Sequence, residues 1–531
     1  MPTSLVLLLL RSVNHNIAIS TKLIMNPVIV ALLFLASSIF FRFLIQKKKR
    51  VVLPPVPPLP PGPSPWPIVG CMPEMWRNRP AYRWIHDILK QLNTDIACVR
   101  LGNVHVIAVK SPEIAREFLK KHDAIFASRP VTMATHLLSS GYLTTGVIPM
   151  GEQWKKMRRV LLNVFNQSRL QWLLDKRNDE ADNLVKFIYS QCSNGENGNS
   201  VVNVRYAAQL YSAGVMRRMF FNTRYFGKER EDGGPGFEEE RHVSALLTIL
   251  LHVFAFCVSD YFPWLRPFDI GGHEKKMRDA LKIIKQHQDP IIDERVRKWR
   301  CFNLQEKGIK KPVEEDLLDV FFSLKWENGQ PLLSVEEIKA QITELQLATV
   351  DTPFSVAEWA LSEMLNQPEM LTKAQEELNR VVGVDMLVQE SHLPHLHCIR
   401  ACARESLRLH PVAPFNLPHV SIADAVVAGY FIPKGSSVLL SRTGLGRNPK
   451  VELEERELRF ISFTTGRRGC MGGSLGTTIT VMLFARLLHG FTWSMPPEVD
   501  KIDLTEAQTL FKLTPLYAHA KPRLAAAVYP V

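Results

Sequence analysis

"FTTGRRGCMGG", residues 463–473, sets one cysteine among glycines, threonines and two arginines, in a chain that otherwise keeps its thiols in apolar runs. Glycines let backbone amides approach a ligand closely. A phosphate cradle would need Lys-Ser/Thr after the glycines, and none follows. A cysteine-phosphatase loop would place an arginine where Gly476 stands. Ligation of a metal by a lone thiolate is what is left. Haem iron takes a single cysteine, with the ring against the loop and nearby cations balancing the porphyrin carboxylates.

Phe463, Gly466, Arg468, Cys470 and Gly472 satisfy F-x-x-G-x-R-x-C-x-G, and this resembles the haem-thiolate loop of the cytochrome P-450 monooxygenases. Further landmarks follow in the order that family has them. "LPPGPSPWPIVG" resembles its proline hinge, "WKKMR" supplies Trp154 and Arg158, "ATVDTP" lies where its long helix crosses the haem, and "ESLR" supplies Glu405 and Arg408. The resemblance implies haem b with Cys470 as axial thiolate, and Trp154, Arg158, Arg468 and His419 on the propionates. Asp351 and Thr352 match the acid–alcohol pair that delivers protons during dioxygen activation, and Glu405–Arg408 matches a buried structural pair. Pro353 lacks an N–H and is expected to open the helix locally. Each residue also has a plainer reading: a core aromatic for Phe463, a weak i,i+3 ion pair for Glu405 and Arg408, a core histidine for His419, and for Thr352 a bond back to the Ala348 carbonyl.

Residues 128–178 and 414–451 resemble the plant amino-acid N-hydroxylases, which form aldoximes by two N-hydroxylations followed by loss of carbon dioxide and water. Asparagine is usual in that branch where Thr352 stands, and small non-glycine residues where Gly472 and Gly473 stand. The implied partners are a small-molecule substrate (an amino acid) and an NADPH–cytochrome reductase, docked on a basic face that includes Lys155, Lys156 and Arg159. The net charge of +13 suits an acidic partner or an anionic membrane, and no nucleic-acid motif is present.

Residues 1–22 have no assigned role. Residues 23–46 are long and apolar enough for a transmembrane anchor, and Lys47 to Arg50 follow, so the positive-inside rule puts the body of the protein in the cytosol, on the endoplasmic reticulum membrane. A basic, proline-rich hinge over 47–64 leads into one mainly helical domain with a small β portion, 65–531. "IACVRLGNVHVIAVK" and "VVAGYFIPKGSSVLLS" read as its strands. Near 451–460 only "ELEERELRF" stands where the family has a meander whose P-E-R motif completes a triad with Glu405 and Arg408, and Arg456 is the nearest substitute. Three readings remain: a membrane-anchored haem monooxygenase, acting on an amino acid or another small hydrophobic metabolite; a non-catalytic or unstable relative of one; and a haem-thiolate isomerase or dehydratase that needs no reductase, against which the Asp351–Thr352 pair argues.

Overall fold

The computed structural model describes residues 57–194, 200–228, 230, 234–253, 255–304, 313–447, 461–507 and 509–530. The proposed anchor at 23–46 and the substitute Arg456 lie outside them. Among the described residues no helix is long and apolar enough to cross a membrane.

The fold is mainly helical with small sheets, as expected. Eight helices position the site: α1 (Glu152–Val164), α2 (Leu174–Asn194), α3 (Val204–Phe221), α4 (Phe237–Val253), α5 (His273–Leu304), α6 (Val335–Asn366), α7 (His397–Leu409) and α8 (Gly473–Gly490). A helix that is apolar nearly all round belongs in a core. In α6 both the start and the middle are buried, and it packs on α3, α7 and α8. A capping box fixes where α6 begins: Ser334 Oγ accepts from Glu337 N at 3.1 Å, and the Glu337 carboxylate accepts from Ser334 N at 2.8 Å. The same carboxylate binds Lys156 Nζ at 2.7 Å, docking α1 on the first turn of α6.

The expected strands form. β1 (Ile96–Leu101) and β2 (Val104–Val109) make a hairpin, β3 (Ser200–Asn203) lies in a separate sheet, and β4 (His419–Val420), β5 (Ala425–Val427), β6 (Tyr430–Ile432) and β7 (Ser437–Leu440) follow. The first sheet has the order β1-β2-β7-β4, with β7 parallel to β2 and His419 opposite Val438. A residue of the late chain is thereby fixed against the early hairpin. β8 (Phe491–Ser494) and β9 (Tyr517–Pro522) join β3 beside the α2–α3–α8 core.

Two expectations are corrected. The helix α6 continues through Pro353, which is buried, so the missing N–H removes a bond without breaking the helix. The Glu405–Arg408 pair forms at 2.5 Å and Arg408 Nη1 also donates to Gly446 O at 2.6 Å, yet the Glu405 side chain is 41% exposed. The pair closes on itself without being fully enclosed.

One buried carboxylate, unmarked in the sequence, locks the segment before α1 to α6. Glu344 accepts from Thr144 Oγ1 at 2.7 Å, and from the backbone N–H of Thr145, Gly146 and Val147 at 3.0, 2.9 and 3.3 Å. Glu344→Ala strands those donors, and unpaired buried groups of this kind cost on the order of 3–5 kcal/mol together. A marked drop in melting temperature is expected, with a smaller one for Glu344→Gln, which keeps an acceptor. Unchanged melting in the alanine variant would remove this role.

Candidate active site

Cys470 sits in a loop closed by its own backbone, which donates N–H to Phe463 O at 2.9 Å. The turn needs glycine at one place. Gly466 has φ +75°, and a Cβ there would lie 2.6 Å from Leu119 O and 2.8 Å from Asp123 Oδ1. Asp123 also receives Arg467 Nη1 at 2.7 Å, so this corner is pinned to the early chain. The ring of Phe463 packs against Gly473, and Gly472 lies next to the sulfur. The loop runs straight into α8, whose N-terminal end favours negative charge.

Cys470 is exposed, yet burial of its surroundings raises the thiol pKa, opposed by the Gly472 N–H and by Arg442 and Arg158. The residue thus keeps accessible surface while its thiolate form is disfavoured by the desolvated surroundings.

The other expected residues take their places around this loop. Arg158 gives Nη1 to Gly469 O at 2.8 Å. Each nitrogen of Arg468 bonds one carbonyl: Nε to Ala127 at 2.5 Å, Nη1 to Thr145 at 3.1 Å and Nη2 to Ile148 at 2.8 Å. The guanidinium keeps further N–H donors and lies 4.6 Å from the centre of the Trp154 ring. Trp154 Nε1 is buried with no partner among the described residues. His419 Nδ1 meets Phe126 O at 2.8 Å and so carries the proton, which leaves Nε2 as a buried acceptor without a partner. Burial, Arg129 and Arg468 pull His419 down to about 3, so the ring is neutral. A carboxylate would reach Nε2 only with an added proton.

Two arginines escaped the sequence reading. Arg129 donates to Leu417 O at 2.6 Å, Pro418 O at 2.9 Å and Gly146 O at 3.2 Å. Arg442 donates to Asn416 Oδ1 at 2.5 Å and Ser462 O at 3.1 Å. Burial pulls Arg129 down to about 9 and Arg442 to about 10. The only available signal was a lone cation inside an apolar stretch, "VLLSRTGLG" for Arg442.

On α6, Thr352 Oγ1 donates to Asp351 Oδ1 at 3.3 Å, not to Ala348 O. Asp351 is 6% exposed, and desolvation raises its pKa to about 6. Beside this centre lies a cavity of about 700 Å³, walled by Val147, Leu250, Phe415, Phe511, Arg129 and Asn416. Cys470, Asp351 and Thr352 are not on its wall. Arg442 connects them: it bonds Asn416 on the wall and interacts electrostatically with both Asp351 and Cys470.

Haem fits this donor set. Buried arginines that bond only carbonyls and an amide, with the unpaired Trp154 N–H beside them, form a site short of anionic partners. A single thiol lies within electrostatic reach of two cations, Arg442 and Arg158. Porphyrin carboxylates and iron supply what is missing. On the expected reductase face, Lys156 is engaged by Glu337 and Lys155 by Glu152 at 2.6 Å, while Lys155 and Arg159 are exposed.

The cytochrome P450 family model matches residues 60–451 and 452–520, and its break falls at the start of the segment read from sequence as a shortened meander. Tryptophan N-monooxygenase CYP79A68 of Prunus mume is 66% identical over 528 residues, covering 95% of this chain and 97% of that protein. Isoleucine N-monooxygenase 1 of Lotus japonicus is 53% identical, covering 92% of each. Phenylalanine N-monooxygenase of Arabidopsis thaliana is 51% identical, covering 91% and 95%. A zebra fish cytochrome P450, solved with progesterone, superposes with a TM-score of 0.67 at 22% identity, covering 84% of this chain and all of that one, which bears on the fold alone. The loop, the buried cations and these matches agree: the chain belongs to the cytochrome P450 family and is a haem-thiolate monooxygenase.

Proposed function

We propose that this enzyme converts an amino acid to its aldoxime by successive N-hydroxylations, with dioxygen and with NADPH-derived electrons from a reductase. The carrying observation is the Cys470 thiol, held in a glycine-shaped loop with the Gly472 N–H, Arg158 and Arg442 acting on it. The N-monooxygenase names of the relatives support the substrate class. Haem b, when bound, supplies dioxygen activation through an electron-rich thiolate-ligated iron.

In this reading Cys470 would hold the haem iron through its thiolate, whose negative charge the Gly472 N–H, Arg158 and Arg442 stabilise. Trp154 Nε1, Arg129 and Arg468 would hold the propionates, and His419 would join them on taking up a proton. Asp351 and Thr352 hold the proton that the reaction consumes, since a carboxyl near pKa 6 exchanges it readily at neutral pH. The apolar cavity wall takes a hydrophobic amino-acid side chain and excludes water. Lys155 and Arg159 draw in the acidic reductase face.

The chain is further proposed to sit on the endoplasmic reticulum membrane. Trp66, Ile68, Trp264 and Phe268 are 55%, 73%, 70% and 71% exposed. Their two loops meet at Gly102, which donates N–H to Val69 O and lies against Phe262. Contiguous exposed apolar groups suit a lipid surface. A second reading, a chain poor in haem, is favoured by the half-open Glu405 and the break in the family match.

Three outcomes follow. The reduced protein with carbon monoxide gives the thiolate-type spectrum and, with reductase, turns over one or more of tryptophan, phenylalanine, isoleucine and valine; Cys470→Ser loses both. Absence of that spectrum from the parent chain would establish the second reading. Asp351→Asn concerns stability. The folded carboxyl binds its proton more tightly than the unfolded one, about 6 against 3.8, so the parent loses stability as pH rises between those values. The asparagine variant lacks this loss and gains on the parent by on the order of 2 kcal/mol at pH 7 relative to about pH 4, while its turnover falls; parallel melting curves across that range would remove the buried-acid assignment. Lastly, brominated lipids in vesicles should quench tryptophan emission of the full chain, and Trp264→Ala with Phe268→Ala should relieve much of that quenching. No relief would take this loop off the membrane.

A further inference from the structure

Asn416 is 3% exposed and stands on the cavity wall. Its Oδ1 accepts Arg442 Nε at 2.5 Å, while Nδ2 is buried without a partner among the described residues. The arginine fixes which way the amide faces, because a guanidinium N–H accepts nothing and must meet the oxygen. The NH2 is therefore the free end. A buried amide donor left unpaired costs free energy, so this geometry persists where a ligand completes it.

Arg442 has the same deficit. Its partners are an amide and a carbonyl, and no carboxylate lies within hydrogen-bond range among the described residues. Backbone pairing makes the corner rigid: Asn416 N donates to Leu440 O at 3.0 Å, and Arg442 N donates to Pro414 O at 2.9 Å. Phe415 bridges Ser441 between them. A held N–H donor on a mostly apolar wall, backed by a held cation, selects an acceptor carrying negative charge.

We propose that Asn416 and Arg442 form the subsite for the substrate's α-carboxylate. The inference rests on the amino-acid reading above and deepens it. The carboxylate would be held at the end of the cavity nearest Asp351 and Cys470, leaving the apolar side chain to the wall formed by Val147, Leu250 and Phe511. The same chemistry would also suit a porphyrin carboxylate, for which Arg129, Arg468 and Trp154 offer a separate set of donors.

The test uses the haem-loaded full chain and follows the haem absorption shift on titration with 3-phenylpropanoate, propylbenzene and the four amino acids. Asn416→Asp keeps the Arg442 contact and the volume but replaces the donor with a repelling charge; Asn416→Leu and Arg442→Gln remove the pair by other means. Each variant should weaken 3-phenylpropanoate and amino-acid binding roughly tenfold to a hundredfold, with propylbenzene binding unchanged throughout, haem content unchanged in the two Asn416 variants, and partial recovery in Arg442→Lys. Equal weakening of the acid and the hydrocarbon would reduce the pair to cavity shape and overturn the proposal. Loss of haem with unaltered acid affinity would assign the pair to the porphyrin instead, and failure of the parent to bind 3-phenylpropanoate would also overturn it. Pair-dependent acid binding without aldoxime from any amino acid would uphold the subsite and overturn the amino-acid reading alone.

Discussion

Everything near the thiol depends on burying positive charge without burying an equal number of carboxylates. Arg468 spends its nitrogens on the carbonyls of Ala127, Thr145 and Ile148, and so ties the thiol loop to the segment before α1. That segment is held in turn by Glu344, whose oxygens collect the N–H groups of Thr145, Gly146 and Val147. One peptide stretch therefore gives its carbonyls to a cation from the loop and its amides to an anion from α6. The relay fixes the distance between the helix that carries Asp351 and the loop that carries Cys470. Carbonyl dipoles lower the cost of the cations but do not cancel it, which leaves the site prepared for an anionic cofactor.

The same economy separates what the sequence disclosed from what it hid. The Cys470 loop was legible because its determinants are contiguous: a left-handed glycine, a closing bond to Phe463 and a helix start all lie within a few residues. Trp154 and Arg158 were legible by their spacing on one helix. Arg129, Arg442 and Glu344 were not, because their partners are carbonyls, amides and an asparagine brought from distant segments by folding. Periodicity places such a residue on a helix or after a strand, but it does not say which loop will arrive there. The continuity of α6 through Pro353 was missed for a related reason. Helix packing on both sides outweighs the loss of a single backbone bond.

The histidine illustrates how chemistry limits a motif. His419 lies on β4 within electrostatic reach of Arg129 and Arg468. Its proton is committed to Phe126 O, so the ring presents a lone pair and not a donor toward the cations. An anionic ligand would change that balance by reversing the field that keeps the ring neutral. Placement and protonation state are separate facts, and only the first can be read from sequence order.

The shortened connection after Arg447 bears on how the thiol loop is retained. In the family a third basic residue joins the Glu405–Arg408 pair and ties the loop to the core. Here Arg408 reaches Gly446 O before the short segment begins, and Glu405 keeps a large exposed surface. On the far side of the segment, Ser462 O is held by Arg442, and Phe463 O by the Cys470 N–H. Arg467 holds Asp123, and Arg468 holds three carbonyls of the early chain. The loop is thus anchored from its own arginines outward, through bonds that do not pass through the Glu405–Arg408 pair. A lesion in the meander therefore weakens the side facing α7 while leaving the side facing α1 and the early chain intact. Retention of haem then turns on the buried arginines and on how far their uncompensated charge favours the cofactor's carboxylates.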